Sequence, residues 1–175
     1  GVPRIGAVRL AVCTMAAGGI IAAFSTSFFG RDPVNAISTS EVAAEVWFET
    51  HAPPESTRLE PGFKAMPERI TGRYNEFYWY NRGSLEFPPL RDDQGVYLPE
   101  LDLKYINQSI TDYDQAEWFM AFSAVGARAS EAIGLMNGDE LDQLEAAAVA
   151  SGRWELVFSQ DDTRLYRFDW TTDAA

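Results

Sequence analysis

Between Arg9 and Arg31 the chain runs for 21 residues, Leu10 to Gly30, without a charged side chain. At 1.5 Å per helical residue, a run of that length spans roughly the 30 Å hydrocarbon core of a bilayer. Of the 21 residues, 14 are apolar, 3 are Gly and 4 are Ser or Thr. Ser25, Thr26 and Ser27 sit near one end, where a hydroxyl can bond back to the helix backbone. Each Leu, Ile or Phe contributes only about −0.3 to −0.6 kcal/mol near mid-membrane, so an isolated helix of this composition inserts marginally. Gly18 with Ala22 and Gly19 with Ala23 form two small-xxx-small pairs, the spacing that lets helix backbones approach closely. The expectation is one transmembrane helix packed against others in a bundle.

Charge sets the orientation. Arg4 and Arg9 flank the amino-terminal side with no acid nearby. Beyond Gly30 lie 12 Lys and Arg (14 less those two) against all 26 Asp and Glu, a balance of −14. The positive-inside rule then puts the amino terminus in the cytoplasm and the rest outside, with Arg31 a mild counter-signal. Residues 1–31 are read as the transmembrane helix with a short cytoplasmic flank, and residues 32–175 as an acidic extracytoplasmic domain in a cell membrane. Three rivals are weaker. A signal peptide shares the basic start and apolar core. A lipoprotein box around Cys13 would need its apolar stretch before the Cys rather than after it. A buried helix of a globular domain is the bland alternative.

About 145 residues form one domain by the usual size prior, large enough to bury a core without staples. Hydrophobic residues make up 46% of the chain and aromatics 13%, which excludes disorder. Cys13 is the single cysteine and lies in the apolar run, so an internal disulfide and a Cys-based zinc site are both ruled out. The acidity argues against nucleic acid as a partner, whose phosphates such a domain repels.

Along the domain, Ser38-Thr39-Ser40-Glu41 reads as a capping box opening a helix over Thr39–Thr50, with Val42, Ala43, Val46 and Trp47 on its apolar face and Phe48 or Glu49 at its boundary. Pro53 and Pro54 end it. Thr57–Leu59 suits a short strand, and the aromatic cluster Tyr74–Tyr80 reads as another. Gly83–Gly95 is expected to be loop, Val96–Leu103 extended, and Gln115–Leu135 helical, with Ile133–Met136 a possible strand. The carboxyl end is the clearest part: a helix over Asp139–Ser151 closed by Gly152, then strands Trp154–Phe158 and Thr163–Phe168 joined by a Ser159–Asp162 loop. Alternating helices and strands give an α/β fold, with a transmembrane helix preceding a small mixed-sheet domain that ends in a helix and a β-hairpin.

Chemistry is sparse. His51 is the only histidine and sits where a helix gives way to two prolines, without a nucleophile motif. Asp112-Tyr113-Asp114 matches the DxD pattern of some nucleotide-sugar enzymes, but among 26 acids such a triplet arises by chance. Asp92-Asp93 and Asp161-Asp162 read as turn residues. Asn107-Gln108-Ser109 is a glycosylation sequon. No phosphate loop, GxGxxG, HExxH or CxxC occurs, so no catalytic residue, metal ligand or cofactor is assigned. Tyr74, Tyr78, Trp79 and Tyr80 are the candidate glycan contacts, since aromatic faces stack on sugar rings.

The helix Ser40–Phe48 with its exit at Ala52-Pro53-Pro54, and the ending Gly152-Arg153-Trp154-Glu155-Leu156-Val157-Phe158 … Thr163-Arg164-Leu165-Tyr166-Arg167-Phe168, resemble the tail of actinobacterial polytopic membrane glycosyltransferases of the GT-C type. The resemblance covers both ends of the chain and is weak through the middle. It implies a last transmembrane helix followed by an accessory outer domain, in an enzyme that uses polyprenyl-phosphate sugars to build cell-envelope glycans. Its acidic catalytic loop would lie upstream of Gly1, so no catalytic residue is carried over. The implied partners are other transmembrane helices of the same protein and a cell-envelope glycan or lipid-linked sugar. The alternative is a single-anchor surface protein that binds without catalysis.

Overall fold

The computed structural model describes residues 36–63, 66–82, 87–112 and 117–171, which fall in the compact unit Val34–Ala175. The expected transmembrane helix Leu10–Gly30 and its flanks to Arg31 lie outside the described residues. Among those described, no helix is long and apolar enough to cross a membrane.

The described residues form four helices, α1 (Thr39–His51), α2 (Pro99–Asp112), α3 (Ala124–Ala132) and α4 (Gly138–Ala150). Their five strands are β1 (Thr57–Glu60), β2 (Tyr78–Asn81), β3 (Trp118–Ser123), β4 (Trp154–Gln160) and β5 (Thr163–Phe168). All five join one mixed sheet of order β2-β1-β3-β5-β4. β1 runs parallel to both β2 and β3, while β5 is antiparallel to β3 and to β4.

The sheet is covered on both faces. On one, Ala44, Phe48 and Ala52 of α1 pack against Phe119, Ala121 and Leu165. On the other, Leu103, Ile106 and Ile110 of α2 and Leu141, Leu144 and Ala148 of α4 meet Trp118, Met120, Phe122 and Tyr166. β3 therefore alternates between two cores and is buried from Trp118 to Phe122. That corrects the helical expectation for Gln115–Leu135: a strand covered on both faces shows a continuous apolar run rather than alternation. Among the described residues of that stretch only Ala124–Ala132 is helical, and Ile133–Met136 is a turn and link, with Gly134 at φ 70°.

Two other expectations change. Val96–Leu103 is not extended throughout, because Pro99 opens α2 at the position where a missing N–H costs nothing. Leu103, Ile106 and Ile110 supply its helical stripe. In the aromatic cluster, Tyr74–Glu76 is a 3₁₀ turn and only Tyr78–Asn81 is strand. The carboxyl-terminal helix and hairpin form as expected, with Asn137 and Glu140 making a reciprocal capping box for α4. β4 continues to Gln160, so the turn shrinks to Asp161-Asp162, with Asp161 at φ 50°. A bulge between Leu156 and Phe158 re-aims β4, and Val157 and Phe158 both join the α1 side of the sheet.

Helix α1 is inverted relative to its sequence pattern. Glu41, Glu45 and Glu49, four apart, are fully buried, while Val42 and Val46 are each 37% exposed. The expected apolar face is thus partly the solvent face. The cause is a set of donors beneath the acids. Glu41 accepts from the Ser123 hydroxyl at 2.6 Å and from the Ser38 amide at 2.8 Å. Glu49 accepts from the amides of Ile70 and Thr71 at 3.2 and 2.5 Å. Glu45 pairs with the Arg58 guanidinium and accepts from Trp79 Nε1 at 3.3 Å. Arg58, itself fully buried on β1, also donates to Glu60 Oε1 at 2.8 and 3.1 Å and to the Pro67 carbonyl at 3.2 Å. A buried carboxylate persists only where charge-assisted bonds replace its water.

A candidate ligand cleft at the carboxyl ends of β1 and β3

The chain leaves β1 toward β2 on one side and leaves β3 through α3 and α4 toward β4 and β5 on the other. Where connections diverge in this way, no element covers the strand ends, and a crevice opens outside them. Such a cleft is present, with a volume of about 290 Å³. Its walls come from Glu60, Pro61 and Gly62 after β1, Phe122 and Ser123 of β3, Gly126, Ala127 and Arg128 of α3, Leu141, Asp142 and Glu145 of α4, and Asp162 and Arg164 of the hairpin.

Local sequence explains how each piece is placed. Ser123 ends β3 and caps α3, accepting from the Gly126 amide at 2.8 Å while its hydroxyl donates to Glu41. Gly62 lies so near α3 that an added Cβ would stand 2.3 Å from Ser130 Oγ. Ser130 in turn accepts from the Phe63 amide at 2.6 Å, which ties the loop after β1 to α3. Asp162 accepts from Ser40 at 2.9 Å, and the Thr163 hydroxyl donates to Ser40 at 2.9 Å, holding the hairpin turn against the start of α1.

The floor is backed by charged networks that fix its geometry. Glu60 belongs to the Arg58–Glu45 cluster. Burial pulls the Arg58 guanidinium below its ordinary value, with Glu60 opposing the shift. Arg164 clasps Glu145 through Nε, and through Nη2 at 2.7 Å, and the Tyr166 hydroxyl donates to the same carboxylate at 2.6 Å. Its bonds to Glu145 hold Arg164 above the usual arginine range, while burial and Glu145 together push the Tyr166 phenol up. Across the same core Arg82 makes a two-pronged pair with Asp102 at 2.9 and 2.5 Å, which also accepts from Tyr97 at 2.5 Å. Burial comes first in raising the Tyr97 phenol. Arg82 Nε donates to the Pro61 carbonyl at 2.8 Å, so this second network anchors the loop that forms one wall.

The lining holds five acids (Glu60, Glu131, Asp142, Glu145, Asp162) and two arginines (Arg128, Arg164). A phosphate or other anion meets net negative charge there, despite the helix amino termini that face the cleft. An uncharged, hydroxyl-rich molecule meets many acceptors, the Arg128 guanidinium and apolar surface from Phe63, Phe122 and Leu141. Among the described residues no cluster of His, Cys, Asp and Glu has the geometry to hold a metal ion.

The residues singled out from sequence are scattered. Tyr74 is half-buried beneath the Arg69 guanidinium, 5.5 Å from its ring. On edge strand β2, Tyr78 is exposed, Trp79 packs into the α1-side core, and Tyr80 stacks on Trp118 at 5.7 Å on the opposite side. The four do not share one platform, and none lines the cleft. His51 stacks on Trp47 at 4.8 Å, with Nδ1 2.8 Å from the Trp47 carbonyl at the end of α1. Asn107 accepts from Trp154 Nε1 at 3.1 Å. Asp112 ends α2, and Tyr113 and Asp114 lie outside the described residues. Sequence reasoning missed Glu145, Arg164, Ser123 and Gly62, which carry no local motif. The available hint was the Ser123-Ala124-Val125-Gly126 step from an apolar run into a capped helix. No family model, curated protein or solved structure matches the chain.

Proposed function

We propose that this chain is the carboxyl-terminal, extracytoplasmic accessory part of a polytopic membrane glycosyltransferase, and that its cleft holds a neutral glycan segment of the acceptor or of a lipid-linked sugar. The uncharged Leu10–Gly30 run and the charge asymmetry around it support a membrane anchor. The carrying observation for the ligand is the composition of the cleft, with five acids against two arginines, one of them already clasped to Glu145, and so acceptors in excess and a net charge hostile to phosphate. The domain contributes binding and orientation. The chemistry belongs to residues upstream of this chain.

Two measurements test the reading. The intact mass of the native product in the membrane fraction should lie far above the 19.5 kDa of this chain. A membrane-bound species near that mass would leave the single-anchor binding protein instead. Titration of the full chain in nanodiscs with neutral gluco-, manno-, galacto- and arabino-oligosaccharides should give saturable binding to at least one. Asp142→Asn with Glu131→Gln should weaken it roughly tenfold, about 1.4 kcal/mol, with the fold intact. Absence of binding across the panel refutes the glycan reading.

A further inference from the structure

Every carboxylate on α1 points inward, and the other titratable residue of the helix, His51, is exposed at its last position. Between Thr39 and Thr50 the charged residues are Glu41, Glu45 and Glu49, and all three are fully buried. The outward surface is built from Thr39, Val42, Ala43, Val46, Trp47 and Thr50, with Ile37 just before the cap at 56% exposure. A helix at a water-facing surface ordinarily carries its charges outside. Here burial of the acids is explained by Arg58, Ser123 and the Ile70 and Thr71 amides, but exposure of the valines is not explained by anything in the described residues. An uncharged face on a domain of such acidity is a surface suited to a medium other than bulk water.

We infer that this face of α1 rests on the membrane interface, an inference that depends on the anchor reading above. The position in the chain supplies the occupant. Only eight residues, Arg31–Ser38, separate the end of the uncharged run from the first turn of α1. Eight residues reach at most about 29 Å when fully extended, so the tether keeps a bilayer within reach of α1. Carrying no acid outside, and His51 as its one ionisable group at the carboxyl end, the face escapes the repulsion that the acidic remainder of the domain meets at an anionic surface. Trp47, half-buried and with its ring against His51, supplies the amphipathic aromatic that settles at headgroup level.

The test uses the full chain reconstituted in phosphatidylcholine nanodiscs, with Cys13→Ser to remove the native thiol. Spin labels are placed singly through Val46→Cys on α1, Val149→Cys on the solvent side of α4, and Ala22→Cys in the uncharged run. Collision with oxygen relative to a water-soluble nickel chelate reports the environment. The expected result is an oxygen-to-nickel ratio at 46 several-fold above that at 149, with 22 highest. A label at 22 in lipid with 46 as water-exposed as 149 overturns the docking inference alone. Exclusion of both quenchers at 46 also overturns it, in favour of a protein partner. A label at 22 outside lipid overturns the anchor reading, and the docking inference with it.

Discussion

Replacing Arg58 by Met tests whether Glu45, the middle acid of the buried face of α1, is held by this buried cation. The guanidinium touches Glu45, Glu60 and the Pro67 carbonyl and lies 5.8 Å from the centroid of the Phe48 ring. Methionine fills much of the stem volume, so the loss is chiefly electrostatic. Removing one partner of a buried ion pair costs about 3–5 kcal/mol, because the remaining charge is stranded without water. For a unit of this size that corresponds to a fall in Tm of about 10–20 °C. The assay is urea and thermal unfolding of the full chain in detergent, followed by tryptophan fluorescence and near-ultraviolet circular dichroism. Adding Glu45→Gln and Glu60→Gln to Arg58→Met should return at least half of the loss, since no uncompensated charge then remains. If Arg58→Met unfolds within about 1 kcal/mol of the parent, Glu45 and Glu60 do not depend on this cation, and the charge-pairing explanation of their burial fails.

Alkaline pH and a glycine substitution probe the rest of the cleft's support. Burial, with Asp102 or Glu145 at the hydroxyl, raises the Tyr97 and Tyr166 phenols above their ordinary value. A folded-state value above the unfolded one near pH 10 means that stability is fully present below pH 10 and is lost as the pH climbs through the folded value. Phenolate absorbance should therefore appear for these two only on unfolding, and Tyr166→Phe should flatten the alkaline decline. Ionisation of either phenol near pH 10 while the chain is still folded would refute it. Gly62→Ala puts a Cβ 2.3 Å from Ser130 Oγ, an atom fixed by the Phe63 amide and the Gly126 carbonyl. The expected cost is about 1–3 kcal/mol, and Ser130→Ala in the same chain should recover part of it. Equal stability of Gly62→Ala and the parent would mean that the loop after β1 is not pinned to α3.

Local elements were legible because their instructions are local. Ser38 and Glu41 cap α1 from three residues apart, and two prolines end it. The Asp161-Asp162 turn joins strands that pair with each other, so the hairpin needs nothing distant. Asp139–Ser151 differs from α4 only at its ends, where Asn137 takes the cap. The middle of the chain misled because its signals depend on neighbours far away. Trp118–Phe122 reads as helix or strand until two helical layers cover it, and the turn of helix beginning at Pro99 looks extended beside Val96-Tyr97-Leu98.

The candidate site lay further from reach. Glu145 and Arg164 are 19 residues apart, Ser123 and Glu41 are 82 apart, and Gly62 meets Ser130 across the sheet end. No spacing rule links such pairs, because each is created by strand order. The sequence by itself determined the uncharged run, the acidity, the helix caps and the hairpin, all of which follow from neighbouring residues or summed charge. Tertiary structure alone decided which face of α1 is inside and where the cleft opens. Burial of Glu41, Glu45 and Glu49 becomes favourable only once Arg58, Ser123 and the Ile70 and Thr71 amides are carried beneath them, and periodicity along one helix contains no record of donors that a sheet delivers from elsewhere.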